Sequence, residues 1–160
     1  MRRPVTHSLA LLALVAFGCG GGGSGGSHSS GTVSVRDSGL GKILVDGSGR
    51  TLYLFQRDRA KRSACAGACA KAWPPLTVRG GLSAGDGTTM GLIGTTRRAD
   101  GTREVTYAGH PLYRFSGDAK AGDVNGQGSN AFGAEWYVLD GSGKKVEKKS
   151  SGGGGGSSGY

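Results

Sequence analysis

The sequence predicts a mainly β protein, two antiparallel three-stranded repeats packed together with one short helix over residues 65–72, and three observations carry the prediction. Residues 33–58 set against residues 93–118 without a gap match at Gly41/Gly101, Val45/Val105, Gly49/Gly109, Leu52/Leu112, Tyr53/Tyr113, Phe55/Phe115 and Asp58/Asp118, so turn glycines and apolar positions recur together. Glycine makes up 34 of the 160 residues, and many stand between short apolar segments, where they favour hairpins over helices. The segment 63–76 has the alanine-rich pattern of a short helix, with Ser63 available as its cap and Pro74-Pro75 to stop it.

In chain order, the first element is a leader. Met1-Arg2-Arg3-Pro4, an apolar run from Leu9 to Phe17 and Gly18-Cys19 are the charged, hydrophobic and small-residue zones of a signal peptide over residues 1–18. The run is shorter than the roughly 20 apolar residues of a spanning helix, so removal is expected. Ala16-Phe17-Gly18-Cys19 has the form of a lipoprotein cleavage site, although Ala16 and the bulky Phe17 replace the usual Leu and small residue. It predicts lipid, such as palmitate, on Cys19; a plain signal peptide cut nearby or an uncleaved anchor is the alternative. Residues 19–31 then form the attachment Cys and a Gly/Ser tether, in which His28 reads as solvated linker rather than a metal ligand.

Residues 32–147 follow as a β-rich domain of two repeats, at about 32–78 and 92–139, forming either one barrel-like body or two lobes. The first copy is expected to place strands at 32–36, 42–46 and 51–56, the second at 92–97, 102–107 and 111–116. Asp37-Ser38-Gly39, Asp46-Gly47-Ser48-Gly49, Asp100-Gly101 and Ala108-Gly109-His110 supply the turns. Tyr53 and Phe55 are two apart on a strand and share one face, and Tyr113 with Phe115 repeats this. The rings read as aromatic core, with a ligand-stacking platform as the sharper alternative. Asp58 and Asp118 follow each Phe by three residues, where a carboxylate can accept turn amides or, alternatively, contact a cation or ligand. Trp73 and Trp136 are expected to close equivalent ends of the copies by packing on these strands.

Cys65 and Cys69 lie one helical turn apart, and with Cys19 lipidated they are the remaining pair in an oxidising compartment, so a disulfide is expected. A redox-active thiol pair, or a copper site completed by His110, are the alternatives. In the second copy Asp123, Asn125 and Gln127 alternate like the front of a calcium loop, but Ala134 stands where the closing acid belongs. Asp118, Asp123 and Asn125 are therefore weak metal candidates, and no cofactor is expected. Residues 148–160 form a flexible Gly/Ser tail behind Lys144, Lys145, Lys148 and Lys149, a cluster that reads as a solubilising end or as attraction to an anionic envelope surface.

Leu52 to Asp58, the segment 63–76, Leu112 to Asp118 and Asn125-Gly126-Gln127-Gly128 with Trp136 together resemble a bacterial family of predicted lipoproteins with a Tyr-x-(Phe/Trp/Tyr)-x-x-Asp motif, also called a secreted repeat of unknown function. The resemblance implies export and a repeat, with no settled activity. The formal charge of +9 falls by two when Arg2 and Arg3 leave with the leader, and it favours acidic partners, while export argues against nucleic acid. No nucleophile elbow, zinc-protease helix motif or phosphate loop is present in the sequence. The expectation is a membrane-anchored, non-enzymatic structural or interaction module of the cell envelope. A metal- or small-ligand-binding protein and a thiol-redox protein using Cys65 and Cys69 are the alternatives.

Overall fold

A computed structural model describes residues 31–148. The expectations for the leader, for lipid on Cys19, for His28 and the tether, and for the tail from residue 149 lie outside the described residues.

The chain runs through β1 (Gly31–Ser38), β2 (Gly41–Asp46), β3 (Tyr53–Phe55), α1 (Ala68–Ala72), β4 (Leu82–Ala84), a 3-10 turn at Met90–Leu92, β5 (Ile93–Arg97), β6 (Arg103–Tyr107), β7 (His110–Pro111), β8 (Asn130–Ala131) and β9 (Ala134–Val138). Among the described residues the protein is thus mainly β, with a short helix where the alanine-rich segment placed it. The strands form three small sheets, ordered β2-β1-β4, β3-β9-β8 and β5-β6-β7. Within them only β4, beside β1, pairs in parallel.

Which strands pair is the feature the sequence left open. The motif strands are β3 and, in the second copy, residues 112–116, where β7 and isolated bridges at Tyr113 stand in place of the continuous strand expected at 111–116; each has two edges and takes its neighbours from both copies. Tyr53 pairs with Val138 and Phe55 with Trp136. Correspondingly, Tyr113 pairs with Pro75, and the Ser116 amide donates to the Ala72 carbonyl at 2.9 Å as the Gln56 amide donates to Glu135 at 3.0 Å. Where the motif strands meet, Tyr53 and Tyr113 exchange both backbone hydrogen bonds, at 2.8 and 3.0 Å. The outer side of each Trp segment repeats the pattern: Leu139 accepts from Leu44 at 2.9 Å, and Leu76 accepts from Val105 at 2.8 Å. The long connections after Asp58 and Asp118 let each copy carry its Trp segment across to the other, an arrangement that is self-complementary in the manner of a two-fold interface.

The ungapped alignment of the copies needs one local correction. Val33 faces Asp46 across the first hairpin, and Ile93 faces Tyr107 across the second. The β5–β6 turn is one residue longer and the β6–β7 turn one shorter, so β6 slips by one residue while the motif strands stay aligned. Ile43 therefore corresponds to Glu104, both opposite equivalent residues, Arg36 and Thr96.

The core has two parts on opposite faces of the motif strands, as period-two alternation dictates. Leu52, Leu54 and Leu112 point to an aliphatic cluster with Val33, Leu44, Leu76, Ile93, Val105 and Leu139. Tyr53, Phe55 and Tyr113 point to an aromatic one with Ile43, Cys65, Cys69, Trp73, Trp136 and Val138. Both clusters draw on both copies, so burying either one requires the other copy's residues.

Candidate functional site

The aromatic cluster is built by the same exchange. Trp73 and Trp136 stack on each other, 3.9 Å between centroids and 5° between planes. Phe55 lies against the outer face of Trp136 at 4.1 Å, and Phe115 against Trp73 at 4.3 Å, each motif Phe thus meeting the other copy's Trp. Tyr53 meets Trp73 edge-on at 5.4 Å, as Tyr113 meets Trp136 at 5.1 Å. The two tryptophans, expected to pack on the aromatic strands, do so and also join the copies through a four-ring stack. Gly126 is required beside it: a Cβ there would lie 2.7 Å from Trp73 and 3.0 Å from Tyr53.

The motif carboxylates cross as well. Tyr53 donates its hydroxyl to Asp118 Oδ2 at 2.7 Å, and Tyr113 donates to Asp58 Oδ2 at 2.9 Å. The other oxygen of each Asp accepts a backbone amide from its own copy, Ala64 to Asp58 Oδ1 at 2.7 Å and Asn125 to Asp118 Oδ1 at 2.9 Å. The amides lie in the long connections rather than in the immediate turn. Burial pushes Asp58 up to about 6, against the Ala64 amide, the Tyr113 hydroxyl and the Arg98 charge, and it raises Asp118 in the same direction. Burial, reinforced by the neighbouring carboxylates, lifts both tyrosines above the usual phenol range.

Cys65 and Cys69 form a disulfide, with Cα atoms 5.2 Å apart, within ordinary reach of a bridge. Ser63 does not cap the helix: the N-cap is Gly67 at φ 57°, with no side-chain cap bond. Ser63 instead sits in a polar network that the sequence did not reveal. Its hydroxyl donates to the Tyr113 phenol oxygen and accepts from Arg98 Nη1, both at 2.7 Å. Arg98 also reaches the Cys65 carbonyl at 2.6 Å and Glu104 Oε2 at 2.7 Å. Glu104 is fully buried, its Oε1 has no hydrogen-bond partner, and burial outweighs Arg98 to push it up to about 7. The signal was the local slip between copies, which sets Glu104 against the 1% exposed Ile43.

The calcium-like stretch is occupied with its own hydrogen bonds. Asp123 accepts from the Lys120 amide, the Asn125 amide donates to Asp118, and Gln127 turns away to the Val146 and Lys148 carbonyls. Among the described residues no three His, Cys, Asp or Glu side chains are grouped to hold a metal ion. No helix among them is long and apolar enough to cross a membrane.

An open cleft of about 820 Å3 adjoins the first motif strand, lined by Leu54, Phe55, Asp58, Arg59, His110 and Lys144 among others. Asp58 is the one motif carboxylate that reaches it. Burial lowers the affinity of His110 for its proton. Residues 34–77 and 94–140, together more than half of the chain, match the family model described as a secreted repeat of unknown function, once for each copy. No curated protein and no solved structure is significantly similar to the chain.

Proposed function

This chain belongs to the family of secreted repeats of unknown function, and from that premise of export we propose that it is a lipid-tethered, non-enzymatic interaction module of the cell envelope. The observation that carries the reading is where the signature side chains go. Tyr53, Asp58, Tyr113 and Asp118 bind one another across the copies, and Phe55 and Phe115 cover the stacked tryptophans. Groups so engaged hold a rigid body together, and the motif carboxylates and hydroxyls are spent on one another. The lipid supports the reading from the sequence side, since Cys19 ends a short apolar run and a Gly/Ser tether follows it.

The tether is tested by labelled-palmitate incorporation and intact mass in an exporting host. Wild type should carry label and sediment with membranes, whereas Cys19→Ser should lose the label and appear in the soluble fraction. An unlabelled wild-type chain overturns the lipid. Turnover of thiol or metal-redox substrates by the purified protein overturns the non-enzymatic part.

A further inference from the structure

The internal duplication supplies a control for the cleft. Arg50 and His110 occupy equivalent positions, opposite Asp46 in one copy and opposite Tyr107 in the other. Arg50 reaches over its motif strand to the Asp118 carbonyl. On the other side the shorter His110 lines the cleft together with Asp58, Arg59 and Lys144.

Its walls are chemically unequal once internal pairing is subtracted. Glu147 is matched by Lys145 at 2.8 Å, and both oxygens of Asp58 are taken by Tyr113 and Ala64. Arg59 donates to the Gln56 and Asp58 carbonyls and faces no carboxylate there. Lys144 makes no ion pair, and the His110 ring no hydrogen bond, among the described residues. A cleft with three donor side chains at its rim that no free carboxylate of the cleft matches, in a volume within the range of small-molecule sites, suits an anion. We propose that the cleft binds a small organic anion through its oxyanion, with Arg59, Lys144 and His110 as the groups that hold it.

The site goes beyond the proposed role and does not rest on the lipid, so its failure would leave the tether standing. The test is an amide-shift titration of the full isotopically labelled chain carrying Cys19→Ser, with phenylacetate, phenyl phosphate and phenethylamine as probes. Both oxyanions should give saturable shifts at Gln56, His110 and Lys144, with the amine at least about tenfold weaker. His110→Arg, which places here the longer side chain found at the equivalent position 50 and fills the rim, should weaken oxyanion binding by about tenfold or more. Lys144→Glu, at an exposed position, should weaken it without moving distant amides and decides the matter if His110→Arg folds poorly. No saturable shift by about 10 mM probe, equal binding of the amine, or unchanged affinity in Lys144→Glu overturns the proposal.

Discussion

Tyr53→Phe removes a buried hydroxyl and leaves Asp118 Oδ2 without its donor from the other copy, a loss expected to cost about 1–3 kcal/mol. Because the bonds are crossed, a double-mutant cycle in denaturant unfolding should find coupling between Tyr53→Phe and Asp118→Asn, and little between Tyr53→Phe and Asp58→Asn. Equal coupling to both would contradict the exchange. Glu104 gives the pH dependence. Its folded-state value of about 7 lies above its ordinary 4.5, so its stabilising contribution is complete below about 4.5 and is lost as pH rises through about 7. Asp58, raised from 3.8 to about 6, acts with the same sign. Asp46 and Asp140 are held below their ordinary value, so what they contribute is lost only as the solution becomes strongly acidic. The thermal midpoint should accordingly be higher at pH 5 than at pH 8, with a smaller difference in Glu104→Gln; a midpoint that rises between those values contradicts the assignment. The motif tyrosines and acids were legible in the sequence because both copies keep them. Their partners were not, since a repeat alignment says which residues are equivalent and is silent on whether a bond stays within a copy or crosses. Arg98 and Glu104 were missed for a different reason: without a gap, Glu104 falls opposite Leu44 and the charge at an Ile position is hidden.

The segment from Ser63 to Leu76 shows what composition could and could not predict about an element. Alanines, two cysteines one turn apart and a proline pair were enough for a short bridged helix, and Ala68–Ala72 with its disulfide is that helix. Its start was misplaced because Ser63 finds better partners in Tyr113 and Arg98, and the turn begins at a left-handed glycine instead. Replacing both cysteines by Ser should cost about 2 kcal/mol on a loop-closure estimate for so short a loop, leaving a folded protein with a lower denaturant midpoint. The glycine-rich connection of the second copy, read as an ordered loop, has a sharper requirement. Gly126→Ala must displace Trp73 or Tyr53, and the loss should exceed about 2 kcal/mol, in contrast to Gly122→Ala, where a Cβ meets nothing but φ is 87°. Comparable effects in both variants would mean that backbone strain, and not the tryptophan stack, sets the need for glycine at 126.

Over the whole described body, neither copy owns a core. The aliphatic and aromatic clusters both mix residues from the two halves, and the linking hydrogen bonds span 55 to 73 residues of sequence. Unfolding should therefore be a single transition reported identically by tryptophan fluorescence and by far-ultraviolet circular dichroism, and a chain ending at residue 91 should show no transition at all. Two separable transitions would mean that the halves are independent lobes. Pairing across such distances also makes for slow folding compared with a chain of local hairpins. The exchange of Trp segments bears, finally, on ancestry. A gene encoding a single copy could satisfy its crossed tyrosines, carboxylates and tryptophans only by meeting an identical chain about a two-fold axis. The duplicated protein is in that sense a two-fold assembly held in one polypeptide, whose halves carry Arg50 on one side and His110 on the other.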